Sequence, residues 1–493
     1  MPDGLEVELK LEIAPRDVET LTKSGPLSKV TVLTQALDSV YFDTPAGDVR
    51  RAGFSLRVRH VGNRRIQTIK AESAVAAGLF VRPEWEREID GDAPVLDFAG
   101  APLGQMIGPD ALPRLAPVFR TVVTREIRNL PVGRGAAEVV LDRGEIIAGD
   151  RRLAICEIEL EMRGGSWTAL FALARELDEL APLRLGVLSK SERGYRLIDE
   201  RSAQADKAEP IFLSPEMTAG AAFQTIARAC VRQFRLSETV LANGDDADAL
   251  HEARVGLRRL RSAISLFRAM FAGDGEAERL CGELRWLAGA FGDARDIDVL
   301  IRRVTDGKVR EPLFQSRRDA YASVEATSAS TRARRLMLDL AAWLSFGSWL
   351  TKGTDPERPD QPILPLASAI LERHRRRLKR RGKRLARVDD HHRHEARIEA
   401  KKLRYAAEFF TSLYPHKKAR RRRKAFLEAL EALQSHLGDL NDQVTGPMMV
   451  ARLGLGGAVA ADLATTTKRD RPHLLDEAED AQARLMDTKR FWR

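Results

Sequence analysis

At 493 residues and 54.9 kDa the chain is too long for one ordinary domain, and two domains with separate cores are expected. A hydrophobic share of 44% with 31% charged residues excludes a disordered chain, and a net charge of +10 points to a polyanionic partner: nucleic acid, an anionic membrane or a phosphate chain. Three cysteines, Cys156, Cys230 and Cys281, give neither a disulfide framework nor a CxxC zinc motif, so a reducing compartment is expected.

The chain opens acidic and runs directly into a strand pattern, without the basic start and apolar core of a signal peptide. Its most apolar stretch, Leu336 to Leu350, contains Asp339 and falls short of the roughly 20 residues a bilayer span requires. A cytoplasmic protein with no membrane contact is therefore expected.

Glu6, Glu8 and Lys10 alternate with Val7, Leu9, Leu11 and Ile13, so a strand here carries charge on one face and apolar side chains on the other. The pattern returns in Arg57 and Arg59, in Glu84, Glu86 and Glu88, and in Glu157, Glu159 and Glu161. One such strand alone reads better as a solvated outer face with cross-strand ion pairs. Several together predict a shared charged cavity, which needs counter-ions because buried charges need partners. Breaks at Pro45-Ala-Gly47, Gly62-Asn63, Gly91-Asp92 and Gly133-Arg-Gly135 predict an antiparallel sheet with hairpins, interrupted by a helix over Trp167 to Leu180.

From about Pro215 the apolar spacing becomes helical, and the polar stretch Ser202 to Pro215 reads as the boundary. The expected division is 1–203, a linker at 204–215, and 216–493. The helical half resembles itself: His251-Glu-Ala-Arg-Val-Gly-Leu-Arg-Arg-Leu-Arg261 aligns with His394-Glu-Ala-Arg-Ile-Glu-Ala-Lys-Lys-Leu-Arg404, with Phe267 opposite Phe410. Gly292-Asp-Ala-Arg-Asp296 aligns with Gly438-Asp-Leu-Asn-Asp442, so two internal repeats are expected near 216–310 and 363–450.

At about 100° per residue, His251, Arg254, Arg258 and Arg261 fall within an arc of about 80°, and His394, Arg397, Lys401 and Arg404 make a second stripe. A long anion across both would gain charge-assisted hydrogen bonds at many points. Aromatic residues are only 6% and do not interleave with the stripes, and no base-reading signature is present, which speaks against nucleic acid. Solvation is the competing reading for the basic runs Arg373 to Arg384 and Lys417 to Lys424. Asp293, Asp296, Asp439 and Asp442 read as caps or turns near helix ends. His391, His392 and His394 suggest a metal site weakly, at strand or loop positions without cysteine. His251 and His394 either protonate near neutral pH at the anion site or hold a helix contact.

Glu6-Val-Glu-Leu-Lys10 resembles the ExExK signature of the CYTH domain, the triphosphate tunnel metalloenzyme family. Ordered support comes from Tyr41-Phe-Asp-Thr-Pro45, Leu56-Arg-Val-Arg59, Thr68-Ile-Lys70, Arg82-Pro-Glu-Trp-Glu86, Glu157-Ile-Glu-Leu-Glu161 and Ser189-Lys-Ser-Glu-Arg-Gly-Tyr195. The repeated helical half resembles a CHAD domain, a module associated with inorganic polyphosphate, and the order of the two is that of bacterial inorganic triphosphatases. The resemblance implies an α+β multidomain chain: an antiparallel β-barrel tunnel with peripheral helices, then an all-α bundle.

By position, the resemblance implies Glu6, Glu8, Glu157, Glu159 and Glu161 as ligands of Mg²⁺ or Mn²⁺. It places Lys10, Arg57, Arg59, Lys70, Arg125, Lys190 and Arg193 around a triphosphate, with Lys10 either binding phosphate or orienting the attacking water. Glu84, Glu86 and Asp142 are expected to face the lumen, bound to metal or to arginine. The expected activity is metal-dependent hydrolysis of inorganic tripolyphosphate to pyrophosphate and phosphate, with polyphosphate held on the helical half, in the cytoplasm or on polyphosphate granules. The alternatives are a non-catalytic polyphosphate binder and an enzyme of an organic triphosphate, thiamine triphosphate or ATP as an adenylyl cyclase.

Overall fold

A computed structural model describes residues 5–72, 77–96, 102–201, 204–205, 207–303, 307–351, 358–454 and 458–493. The chain forms two compact units. The first comprises Met1–Asp206, Arg235–Val240 and Ser328–Phe346; the second comprises Lys207–Phe234, Leu241–Thr327 and Gly347–Arg493.

The first unit is built on the strands β1 (Leu5–Ile13), β2 (Leu33–Asp43), β3 (Phe54–Val61), β4 (Arg64–Ala71), β5 (Leu79–Ile89), β6 (Ala116–Val132), β7 (Gly135–Ala148), β8 (Arg151–Met162) and β9 (Leu183–Leu185). The pairing order β5-β4-β3-β2-β6-β7-β8-β1 is antiparallel throughout and closes on itself, because Leu5 to Leu9 of β1 also pair with β5. The result is an eight-stranded barrel, and closure removes the exposed edges an open sheet would present. The short β9 continues the free side of β1 at Leu11 to Ile13. The two-residue connection Gly62-Asn63 joins β3 to β4, as its turn chemistry predicts.

Short helices α1 (Val18–Lys23), α2 (Asp48–Arg51) and α3 (Leu103–Ile107) and the longer α4 (Trp167–Leu180) flank the barrel. Trp167 to Leu180 is helical over the span its periodicity predicts, with Ser166 capping it through the Thr168 amide. The outward faces of β3 and β4 bury Phe54, Leu56, Val58 and Ile69 against Val49 and Leu103. Inside, Phe119 and Val123 of β6 pack with Tyr41, Ile146 and Tyr195, forming an apolar plug along the same strand face that further on presents Arg125. Tyr195 belongs to α5 (Lys190–Ile198), whose Gly194 lies against Phe119; a Cβ there would come within 2.2 Å of the ring. Only glycine lets α5 seat this deeply.

The second unit is helical: α6 (Ala219–Leu241, partly assigned to the first unit), α7 (Ala247–Leu266), α8 (Gly275–Arg303), α9 (Gly307–Ala329), α11 (Ile363–Arg381), α12 (Asp390–Phe409), α13 (Lys417–Arg452) and α14 (Ala458–Asp487), while α10 (Thr331–Phe346) belongs to the first unit. Helix α7 packs on α8 and α12, and α12 packs on α11 and α13. Phe223, Phe267, Phe271 and Trp349 form an aromatic core, and Phe267 meets Phe410 edge-on at 6.0 Å between ring centroids. Each such fully buried ring stabilises the fold by about 1.5–3 kcal/mol.

Candidate active site and cationic cluster

Strand alternation aims charge into the barrel. Glu6, Glu8 and Lys10 of β1, Arg57 and Arg59 of β3, Lys70 of β4, Arg82, Glu84 and Glu86 of β5, Arg125 of β6, Glu138 of β7, Glu159 and Glu161 of β8, then Arg163 and Lys190, surround a cavity of about 270 Å³. Seven carboxylates and eight cations therefore share one wall, and they sort into three groups.

The first group is saturated. Asp142, Glu157 and Glu159 bring carboxylate oxygens within 4.8 Å of one another, a set that could hold a divalent ion. Four cations already engage them: Lys190 Nζ lies 2.6 Å from Asp142, 2.5 Å from Glu157 and 2.8 Å from Glu159, while Lys10 reaches Glu157 at 3.2 Å and also Glu159. Arg125 grips Asp142 and Glu159, and Arg193 donates to Glu157. Burial opposes ionisation of Glu157, yet Arg193, Lys10 and Lys190 hold it down at about 2; burial likewise opposes that of Glu159, which Lys10 and Lys190 keep well below the carboxylate range. Lys190 and Arg193 sit in the first turn of α5, where the helix dipole disfavours cations, so these carboxylates decide their placement.

The second group has too little positive charge. Lys70 Nζ reaches Glu6 at 2.6 Å and Arg82 Nε donates to it at 3.0 Å, which outweighs burial and lowers its pKa. Glu8 is only 6% exposed and is pushed upward by burial and then by Glu159, against Lys10 at 3.8 Å and Arg82 at 3.3 Å. Glu161 is raised to about 7 by burial, with Glu6, Glu138 and Glu8 adding to the rise and Arg163, at 2.9 Å, opposing it.

The third group divides. Arg57 approaches Glu84 and Glu86 at 3.9 and 3.8 Å, and although burial opposes its charge, Tyr41, Glu84 and Glu86 together raise its pKa. Arg59 donates to Ser39 Oγ at 3.3 Å; burial, Arg57 and Arg125 lower it to about 10.

In the second unit, α7 and α12 bring parts of the two stripes together. Arg254, Arg258, Arg397 and Lys401 repel one another, and Asp296 and Asp442 stand at the margin. Arg254 Nη1 donates to Asp296 at 2.8 Å and to the Gly292 carbonyl at 3.2 Å, and Arg258 donates to Tyr405 Oη at 2.6 Å. Burial and these arginines lower Lys401 to about 6.

Residues 4–195 match the CYTH domain and residues 225–449 match the CHAD domain. The chain is a CYTH domain fused to a CHAD domain. Over 198 residues, 39% of the chain, it is 31% identical to an inorganic triphosphatase of Haemophilus influenzae, spanning 54% of that protein, about half its length. It is 28% identical over 441 residues, 82% of each chain, to an uncharacterized Mycobacterium tuberculosis protein. A solved CHAD domain from Ricinus communis is 28% identical, with a TM-score of 0.49, covering 57% of this chain and 96% of that one.

Of the residues the sequence aims at the tunnel, Glu6, Glu8, Lys10, Arg57, Arg59, Lys70, Glu84, Glu86, Arg125, Glu159, Glu161 and Lys190 line the cavity, whereas Glu157, Asp142 and Arg193 are not part of its lining. Glu157 is fully buried behind Lys10 and Lys190, and Asp142 joins it there paired with Arg125 and Lys190. Arg82 and Glu72 make contacts at the acidic side of the tunnel that the sequence reading left unassigned; Arg82 is legible from its alternation with Glu84 and Glu86.

The CHAD unit corrects several expectations. Asp293, Asp296, Asp439 and Asp442 lie inside α8 and α13, not at helix ends; Asp296 answers Arg254 and Asp293 answers Arg452, each on another helix. Gly292 is helical too, and a Cβ there would stand 3.8 Å from the Arg254 guanidinium that reaches its carbonyl. His391, His392 and His394 are on the first turns of α12 rather than on a strand or loop; His392 binds the capping Asp389, and His394 faces Asn441 at 2.9 Å. His251 does not titrate near neutral pH: burial, then Arg295, Arg258 and Arg254, lower it to about 4. Arg404 pairs with Glu408 and Gln434, and Arg261 is exposed beside Arg285, so neither joins the central four cations. Among the described residues no helix is long and apolar enough to cross a membrane.

Proposed function

We propose that the CYTH domain hydrolyses inorganic tripolyphosphate to pyrophosphate and phosphate with Mg²⁺ or Mn²⁺, and that the CHAD domain binds inorganic polyphosphate. The observation that carries this reading is the double deficit in one cavity: Glu8 and Glu161, raised by burial and neighbouring carboxylates, are short of positive charge, and Arg59, bonded to Ser39 and beside Arg57 and Arg125, is short of negative charge. A divalent ion with a short phosphate chain supplies both.

The donor set fits such an ion, since carboxylate oxygens are the ligands hard divalent cations take. Glu6, Glu8 and Glu161 would hold it, with Glu157 and Glu159 behind them anchoring Lys10 and Lys190, and Glu157 also Arg193. Bound there, the ion would neutralise phosphate oxygens and acidify water. Arg57, Arg59 and Arg125 orient the chain and stabilise charge on the departing phosphate. Lys10, kept protonated by Glu157 and Glu159 despite burial, donates hydrogen bonds to a phosphate oxygen or the attacking water.

The likeness to the Haemophilus influenzae inorganic triphosphatase supports the substrate class. Residues 1–203 and 216–493 are the proposed functional modules, working in the cytoplasm or on polyphosphate granules. The test is phosphate release from tripolyphosphate, thiamine triphosphate and ATP under each metal. Preference for tripolyphosphate, lost in Glu6→Gln/Glu8→Gln, bears the reading out. Turnover absent, or unchanged in that variant, overturns it.

A further inference from the structure

One cation in the tunnel serves three carboxylates. Arg82 donates Nε to Glu6 at 3.0 Å, Nη2 to Glu8 at 3.3 Å and Nη1 to Glu72 at 3.3 Å, with its guanidinium 5.3 Å over the Phe80 ring. Its side chain is 6% exposed, so it always needs a counter-charge. Glu72 follows β4 directly, and its backbone is pinned by an amide bond to the Gly53 carbonyl at 2.8 Å. Its other contacts run to the start of α5: Ser191 Oγ donates to Oε1, and Ser189 Oγ lies 3.4 Å from Oε2. Those two serines bracket Lys190, which holds Asp142, Glu157 and Glu159.

A guanidinium and a divalent ion compete for the same oxygens of Glu6 and Glu8. An ion loading there would compete with Arg82, and with Lys70 on Glu6, and a displaced Arg82 with no other anion in reach would be a buried, uncompensated charge. Glu72 is within reach already, at 3.3 Å. We infer that Glu72 is a positioning residue that takes over Arg82 when a divalent ion loads onto Glu6 and Glu8, and that its grip on Ser189 and Ser191 ties this loading to the seat of Lys190 on α5. The inference rests on the metal-dependent reading given above.

The experiment is Mn²⁺ binding to the full chain without substrate, read as loss of the free-ion electron paramagnetic resonance signal. Glu72→Gln removes the receiving charge, leaves Arg82 on Glu6 and Glu8, and weakens Mn²⁺ binding by about 10-fold or more, the usual scale for residues that support metal ligands. Glu72→Asp keeps the charge and stays within about threefold of wild type. Glu72→Gln/Arg82→Gln removes the competitor and restores binding. Unchanged binding in Glu72→Gln, or a double variant as weak as Glu72→Gln, overturns the inference. If Glu72→Gln does not fold, Arg82→Gln alone decides: tighter binding than wild type supports the exchange, and binding no tighter overturns it. Wild-type protein that takes up no Mn²⁺ overturns the metal-dependent reading together with this one, whereas wild-type uptake indifferent to Glu72 overturns this one alone.

Discussion

Arg125 and Asp142 stand directly opposite each other on β6 and β7 and are joined by two parallel bonds, Nε to Oδ1 at 2.8 Å and Nη2 to Oδ2 at 2.6 Å. Asp142 is fully buried and also neutralises Lys190. Asp142→Asn keeps the shape but leaves two cations leaning on Glu157 and Glu159. Removing one partner of a buried ion pair costs about 3–5 kcal/mol. Because both cations keep other carboxylates, about 3 kcal/mol is expected, read from urea unfolding followed at the β-structure signal. No loss would mean that Asp142 is not a structural counter-charge.

Arg59 makes the opposite case. It donates to Ser39, and burial, Arg57 and Arg125 outweigh Tyr41 and Glu86 around it, so the folded protein gains little from it. Arg59→Met relieves repulsion with Arg57 and Arg125 and is expected to leave the melting temperature unchanged or raised. Tripolyphosphate turnover should fall by about 100-fold, the scale for removing one preorganised donor. A variant that is less stable and fully active would show Arg59 to be a structural cation. The trade is one that binding sites commonly make.

How far the site was legible follows from where its determinants lie. Period-two alternation is local, so Glu6, Glu8, Arg57, Arg59, Glu84 and Glu86 could be assigned to one face from the sequence, and the barrel puts that face inward. Partner identity is not local. The bond from Ser191 to Glu72 links residues 119 positions apart, and that from Arg82 to Glu6 links residues 76 apart, and no spacing rule joins them. The same holds in the CHAD domain. The arcs of α7 and α12 are readable, yet in sequence Asp296 reads as a cap because its partner, Arg254, sits on another helix. Protonation was the least legible: His251 and Lys401 lose their usual values to burial and then to arginines gathered by packing.

For the CHAD domain, Arg254→Ala, Arg258→Ala, Arg397→Ala and Lys401→Ala together are expected to abolish most polyphosphate binding while tripolyphosphate hydrolysis in the CYTH domain continues at its wild-type rate. Counter-ion release makes binding to a linear polyanion fall with salt, with a slope set by the number of cations engaged. The slope of log affinity against log salt should therefore drop by about 2 or more in the variant, measured by fluorescence anisotropy of labelled polyphosphate. An unchanged slope would place the polyphosphate elsewhere, on the basic runs of α11 and α13.

Lys401 predicts how that binding responds to pH. Its folded value, about 6, lies well below the usual lysine range because burial and Arg258, Arg397 and Arg254 disfavour the ammonium, with Asp442 the carboxylate opposing them. The unfolded chain therefore binds more protons than the folded one between about pH 6 and 10.5, and stability rises with pH across that window. Lowering the pH toward 6 destabilises the free protein but charges the amine a polyanion would meet. Polyphosphate supplies the missing negative charge, raises the amine's pKa and takes up a proton on binding. Affinity is accordingly expected to strengthen as pH falls from 8 toward 6 (about the folded value), and calorimetry in buffers of different ionisation enthalpy should detect proton uptake near pH 7. Lys401→Gln should abolish both effects; their persistence would assign the proton to another group.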